Sequence, residues 1–245
     1  MIEIPENSRT LRVSLRECRM VLERLMHVAN LDPGQVVSTR ECALYSAALE
    51  LGGFANLRAN IDQLKVARGW AVTLEESEQS LKIDCAGQHT WIVAPLLADL
   101  LVDARRRGRT DNIAVIGLLA RDEIPVIEPF LHQQGFMGTI SFGTGPDEVQ
   151  VSIQPLTSAR ARDIVDEVRR DGLPVRDALW WELFQLSSEA LAPDSFESRR
   201  HAGAIIVEAD GRVIGRQDED DTDLALLAEQ LRGSVQDAAP SQRTE

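Results

Sequence analysis

Apolar residues recur at steps of three and four as far as about residue 67 and alternate at a step of two from Trp70 onward, and this change of period restricts the folds open to the chain. A helical opening followed by strands with further helices between them has to lay helices on a sheet. Ser14-Leu15-Arg16-Glu17 has the spacing of a capping box, so a helix starts there. Its stripe of Leu15, Cys18, Val21, Leu22, Leu25 and Met26 runs until Asp32-Pro33-Gly34 breaks the pattern. A second helix is predicted over 35–51, with Gly52-Gly53 as a left-handed C-cap, and a third over 56–67. Together they make a helical cluster over about 13–67.

Segments 71–74 and 81–84 alternate and predict a hairpin. A helix is expected over 90–107, delayed or kinked by Pro95. The unbroken apolar run of 112–119 predicts the central strand of the sheet, covered on both faces. A helix over 126–134, strands over 137–142 and 149–153, and helices over 158–170 and 175–190 follow. A second hairpin is expected around Ala209-Asp210-Gly211 and a last helix over 222–231, after which the polar residues 233–245 predict a disordered tail. The predicted class is mixed α/β, with α+β as the alternative. One domain would span 1–232, its helical cluster packed on the mixed sheet of 70–232.

Charge narrows the partners. Lys and Arg number 26 against 39 Asp and Glu, a formal charge of -13, which repels phosphate backbones and anionic lipid. Neither nucleic acid nor membrane is expected. No apolar run reaches the ~18 residues of a membrane span, and Glu3, Glu6, Arg9 and Arg12 stand where a leader would be apolar, so a cytoplasmic location is expected. Cys18, Cys42 and Cys85 are odd in number and widely spaced, which suits reduced core thiols.

No complete catalytic motif is present. His27, His89, His132 and His201 lack the spacing of a metal site, and no G-x-G-x-x-G, P-loop or G-x-S-x-G occurs. Gly143-Thr144-Gly145 leads into Pro146, which has no amide to offer a phosphate, and reads as a turn. Arg105-Arg106-Arg107 with Arg109 suits a solvated helix end, and Asp218 to Asp221 with Asp223 lack EF-hand spacing. Two candidates remain. Arg121-Asp122-Glu123 follows the central strand, where α/β proteins place their sites. The loop Pro193 to His201 gathers Ser195, Glu197, Ser198, Arg199, Arg200 and His201, and an arginine there could clamp a carboxylate.

Two resemblances follow from these residues. Val13-Ser14-Leu15-Arg16-Glu17 and the run Trp180, Leu183, Leu186, Pro193, Ser195, Ser198, Arg199, Gly203, Ala204 resemble the opening and closing motifs of a bacterial domain family of unknown function. Ser187, Ala190 and His201 depart from its pattern. From Val13 to Phe142 the order of motifs is also similar to the type 2 malate/L-lactate dehydrogenases: V-S-x-x-E, a strand ending at Ile83-Asp84, a long helix, an apolar strand over 113–119, and Gly135-Phe136-Met137-Gly138. That resemblance implies an NAD(P)H-dependent 2-keto acid reductase. However, the family's S-H-G histidine would fall near Gly53 to Leu57 and its N-x-x-H histidine near Leu119 to Glu123, and neither is present. Without an acid to protonate the alkoxide, about 100- to 10,000-fold of rate is lost.

The expected function is therefore a non-catalytic relative that binds a small carboxylic acid or a protein subunit through Arg121, Ser195, Ser198, Arg199 and Arg200, with no cofactor and no metal. The alternative is an NAD- or NADP-dependent oxidoreductase or a lyase acting on a small 2-keto acid, with Glu123 or His201 as acid/base. A structural homodimer built on the Trp180-Trp181 helix is the third reading.

Overall fold

The computed structural model describes residues 9–77, 80–109, 112–143, 148–157 and 163–191, with the backbone of 206–207 and 213–214. The chain divides into two units, Met1–Leu191 and Ala192–Glu245, the division falling inside the span 1–232.

The first unit opens on β1 (Thr10–Val13) and α1 (Leu15–Val28). The capping box of α1 is formed: the Ser14 hydroxyl accepts the Glu17 amide, and the Glu17 carboxylate takes the Ser14 amide at 3.1 Å. Then come α2 (Pro33–Ala48), with proline in its first turn, and α3 (Gly53–Lys65). The left-handed residue after α2 is Glu50 (φ 56°), not a glycine. Gly53 (φ 52°) opens α3 instead, three residues earlier than its polar neighbours suggest, because a Cβ there would stand 2.8 Å from the Ala47 Cα. Glu41 on α2 ties the cluster together, taking two bonds from the Arg19 guanidinium of α1 at 3.0 and 2.7 Å.

The sheet consists of β2 (Thr73–Glu76), β3 (Leu81–Asp84), β4 (Asn112–Ile116), β5 (Phe136–Phe142) and β6 (Val149–Pro155), in the order β2-β3-β4-β6-β5. Strands β3 and β4 are parallel and joined by α4 (Thr90–Arg106); the other pairings are antiparallel, so the sheet is mixed. The expected hairpin is β2 and β3, and the expected central strand is β4. Its two faces are not equally covered, however: Ile113 and Val115 are fully buried while Ala114 and Ile116 are only partly buried. Leu81 and Ile83 of β3 and Val149, Val151 and Ile153 of β6 continue that one buried face. Helix α4 starts at Thr90, not late, and continues past Pro95, which sits in its second turn and has no amide for the ladder.

A 3-10 turn (Arg121–Val126) leads into α5 (Ile127–Gln133), and α6 (Ile164–Asp171), β7 (Leu173–Arg176) and α7 (Asp177–Ser187) complete the unit. Here lies the main departure from the periodicity. Residues 173–176 form a strand paired antiparallel with β1, Val13 facing Leu173 and Thr10 facing Arg176, rather than the start of a long helix. Each strand has only four residues, too short for alternation to be read against helical neighbours. Helix α4 packs on α2 and α5, and α1 packs on α2 and α7, so one continuous core joins the helical cluster to the sheet.

In the second unit β8 (Ile206–Val207) and β9 (Val213–Ile214) pair antiparallel, as the hairpin expected there requires. The expected helix over 222–231 and the tail over 233–245 lie outside the described residues.

Candidate functional site

The loops leaving the carboxyl ends of β3 and β4 extend the parallel ladder. The Cys85 amide donates to the Ile116 carbonyl at 2.9 Å, Gly87 to Gly117 at 2.8 Å, Leu119 to Gln88 at 3.0 Å and Thr90 to Leu119 at 3.0 Å. Asp84, the last residue of β3, folds its Oδ1 back onto the Ala86 amide at 2.8 Å. Gly117 (φ 64°) has to be glycine, since a Cβ would meet that oxygen at 2.8 Å. The Gly87 amide is thereby used within the ladder.

Beside this ladder lies a closed polar cluster. Glu123 is 1% exposed; one carboxylate oxygen takes the Asn56 side-chain amide and the other the Trp91 indole N–H at 3.2 Å. Glu123 thus fastens the 3-10 turn to α3 and α4. His89 caps α4, its Nδ1 accepting the Trp91 amide at 3.2 Å, and its ring stands edge-on to the Trp91 ring at 4.9 Å. Since Nδ1 accepts, the proton of the neutral imidazole is assigned to Nε2, a buried atom with no partner among the described residues. Burial lowers the His89 pKa to about 4, against an opposing pull from Asp122. Nothing in the sequence marked His89 as a capping residue, because Ser, Thr, Asn and Asp are the usual ones.

The trio Arg121-Asp122-Glu123 does not act as a unit. Arg121 is exposed, with its guanidinium carbon 5.7 Å from the Phe142 ring centroid, while Glu123 is enclosed. Ser195, Ser198, Arg199, Arg200 and His201 lie outside the described residues, as do Thr144 to Asp147 and the acidic run Asp218 to Asp221. At the basic end of α4, Arg107 pairs with Asp103 at 2.9 Å and Arg109 pairs with Glu76. The three cysteines are free and buried. Among the described residues no three His, Cys, Asp or Glu side chains are grouped so as to hold a metal ion, and no helix is long and apolar enough to cross a membrane.

An open groove of about 260 Å³ lies between the α2–α3 turn and β7. Ser46 shapes it, its hydroxyl oxygen accepting the amides of Gly52 (3.3 Å) and Gly53 (2.7 Å). Ser46 thus takes the Gly53 amide of the first turn of α3, and Phe54 and Ala55, the next residues of that turn, line the groove at the positive end of the helix. Arg176 lines the opposite wall, Phe54, Val175 and Leu179 supply apolar surface, and Glu50 adds one exposed carboxylate. Sequence reasoning missed this groove because half of it is β7. The region near Gly53 to Leu57, where the S-H-G histidine was sought, forms its other half.

No family model matches the chain, and no curated protein matches it. Among solved structures it is similar to a dehydrogenase from Sinorhizobium meliloti, at 9% identity and a TM-score of 0.54 over 73% of this chain and 100% of that one. It is also similar to malate dehydrogenase from Entamoeba histolytica (11% identity, TM-score 0.46, 74% of this chain and 62% of that one). A third is delta1-piperideine-2-carboxylate reductase from Pseudomonas syringae pvar. tomato (16% identity, TM-score 0.41, 74% and 70%). Likeness at such identities speaks to architecture alone, and the first of these carries it: the chain has a dehydrogenase-like mixed α/β fold.

Proposed function

We propose that this chain is a non-catalytic binding protein on a dehydrogenase-like fold, holding a small monocarboxylic acid in the groove between the α2–α3 turn and β7. The observation that carries this reading is that Arg176 and the first turn of α3 line one groove. A guanidinium can take both oxygens of a carboxylate, and helix-end amides complement its charge. Glu50 on the same lining repels a second carboxylate, which favours monoacids over diacids. Among the described residues no histidine lines the groove, Glu123 has both oxygens bonded inside the core, and His89 is enclosed, so none of these groups stands ready to protonate a carbonyl oxygen.

The test is a thermal-shift and calorimetric titration with lactate, pyruvate, malate, NADH and NADPH. A monoacid at 100 times its dissociation constant is expected to stabilise the protein by about 2.7 kcal/mol. Arg176→Ala should weaken that binding at least tenfold with little loss of stability, since Arg176 is exposed. Oxidation of NADH or NADPH in the presence of a keto acid would replace this reading with the oxidoreductase. Absence of any acid-induced shift would refute acid binding and turn attention to a protein partner.

A second reading, a homodimer subunit, draws on α7. Trp181 is 58% exposed, and its ring meets that of the partly exposed Phe184 edge-on at 5.7 Å, forming an apolar surface. Sedimentation velocity of Trp181→Ala decides it: a dimer through α7 dissociates, and an unchanged coefficient removes the idea.

A further inference from the structure

A second cavity, of about 380 Å³, opens where the end of α2, the outer face of α5 and the first turn of α6 meet. Leu49, Pro129, Ile164 and Val165 form apolar walls. Its ionisable lining consists of Glu128, His132 and Asp163, and neither lysine nor arginine is among its described lining residues. Glu128 and His132 stand four residues apart on α5, so their side chains share one face of that helix.

The state of each polar group matters to what the cavity accepts. Asp163 directs Oδ1 at the Val165 amide (2.9 Å) and the Asp166 amide (3.4 Å), which caps α6 and leaves Oδ2 for other use. Gln133 gives its side-chain N–H to the Tyr45 hydroxyl at 3.0 Å, and its oxygen remains an acceptor. Glu128 is half-buried against apolar side chains and has neither hydrogen bond nor ion pair among the described residues. A carboxylate withdrawn from water without a counter-charge is costly, so such a site favours a ligand that brings positive charge. Among the described residues no three ligating side chains are grouped to hold a metal ion, so the charge such a site favours is that of an organic cation. The volume is at the low end of small-molecule sites, and the apolar walls require a hydrocarbon body.

We infer that this cavity binds a small organic ammonium ion, its apolar body against Leu49, Pro129, Ile164 and Val165 and its charge at Glu128. The site is separate from the acid groove and does not depend on it.

Cyclohexylamine, cyclohexanol and cyclohexanecarboxylate have bodies of one size and differ in charge, so they isolate the electrostatic part. Calorimetry on the full chain at pH 7 is expected to show the ammonium binding at least tenfold more tightly than the alcohol, with the carboxylate not binding. Methyl signals of Leu49 and Val165 should shift on titration with the ammonium ion. Glu128→Gln keeps the shape and should erase the preference of amine over alcohol. Val165→Phe fills the cavity and should abolish binding of both. Equal affinity for amine and alcohol, a preference that survives Glu128→Gln, or no binding of the amine to the folded wild-type chain would each overturn the inference.

Discussion

His89 connects the chemistry of one ring to the stability of the fold. Its imidazole is 2% exposed and is held neutral, its pKa lowered by burial from 6.5 to about 4. In the unfolded chain the same ring takes a proton at the ordinary value, so between these limits the unfolded state binds more protons and stability rises with pH. His89 therefore supports the fold fully above about pH 6.5, and that support is lost as pH falls toward 4, an effect on the order of 3 kcal/mol. Urea unfolding at intervals from pH 4.5 to 7.5 measures it. His89→Asn keeps a side-chain acceptor for the Trp91 amide and should flatten the profile across this window. Neither role of His89 was legible in the sequence: its burial depends on the distant β4 loop, and its capping was hidden because histidine is not among the usual capping residues.

At the scale of elements, the first helix was the most legible. Ser14, Glu17 and the stripe from Leu15 to Met26 act within single turns, and the structure reproduces them. Where the reading erred, a distant element made the decision. Gly53 looked like an end for α2 and is a beginning for α3, because the close approach of α3 to Ala47 admits no Cβ. Gly53→Ala thus faces both a left-handed backbone and a clash with backbone atoms, and should destabilise by about 2 kcal/mol or more. A drop in the denaturation midpoint with an unchanged m-value would bear this out; an unchanged midpoint would show that the α2–α3 turn can relax. The strand β7 was hidden for a related reason: its four residues become a strand only because β1 lies beside them.

For the whole molecule, the mixed α/β class and the central place of β4 were legible, and the groove was not, since Gly53 and Arg176 are brought together only by tertiary packing. The reduced thiols give a probe at this scale. Cys18 and Cys85 are pushed up to about 12 by burial, and Cys42, fully enclosed, is raised well above its ordinary value by burial and then by Glu41 and Glu123. Ellman's reagent at pH 8 should label none of the three in the native protein and all of them in guanidinium. Release of Cys85 with Cys18 and Cys42 at one midpoint would mark the helical cluster and the sheet as a single cooperative body, whereas a later midpoint for Cys85 would show that the cluster opens by itself.

The pairing of β1 with β7 joins residue 10 to residue 176. A ribosome adding about 5 to 20 residues per second needs on the order of ten seconds to go from the end of α3 to α7. Through that interval the face of α1 that α7 will cover has no lid. The nascent chain thus waits with its earliest helix half-dressed, open to holding chaperones until α7 has emerged.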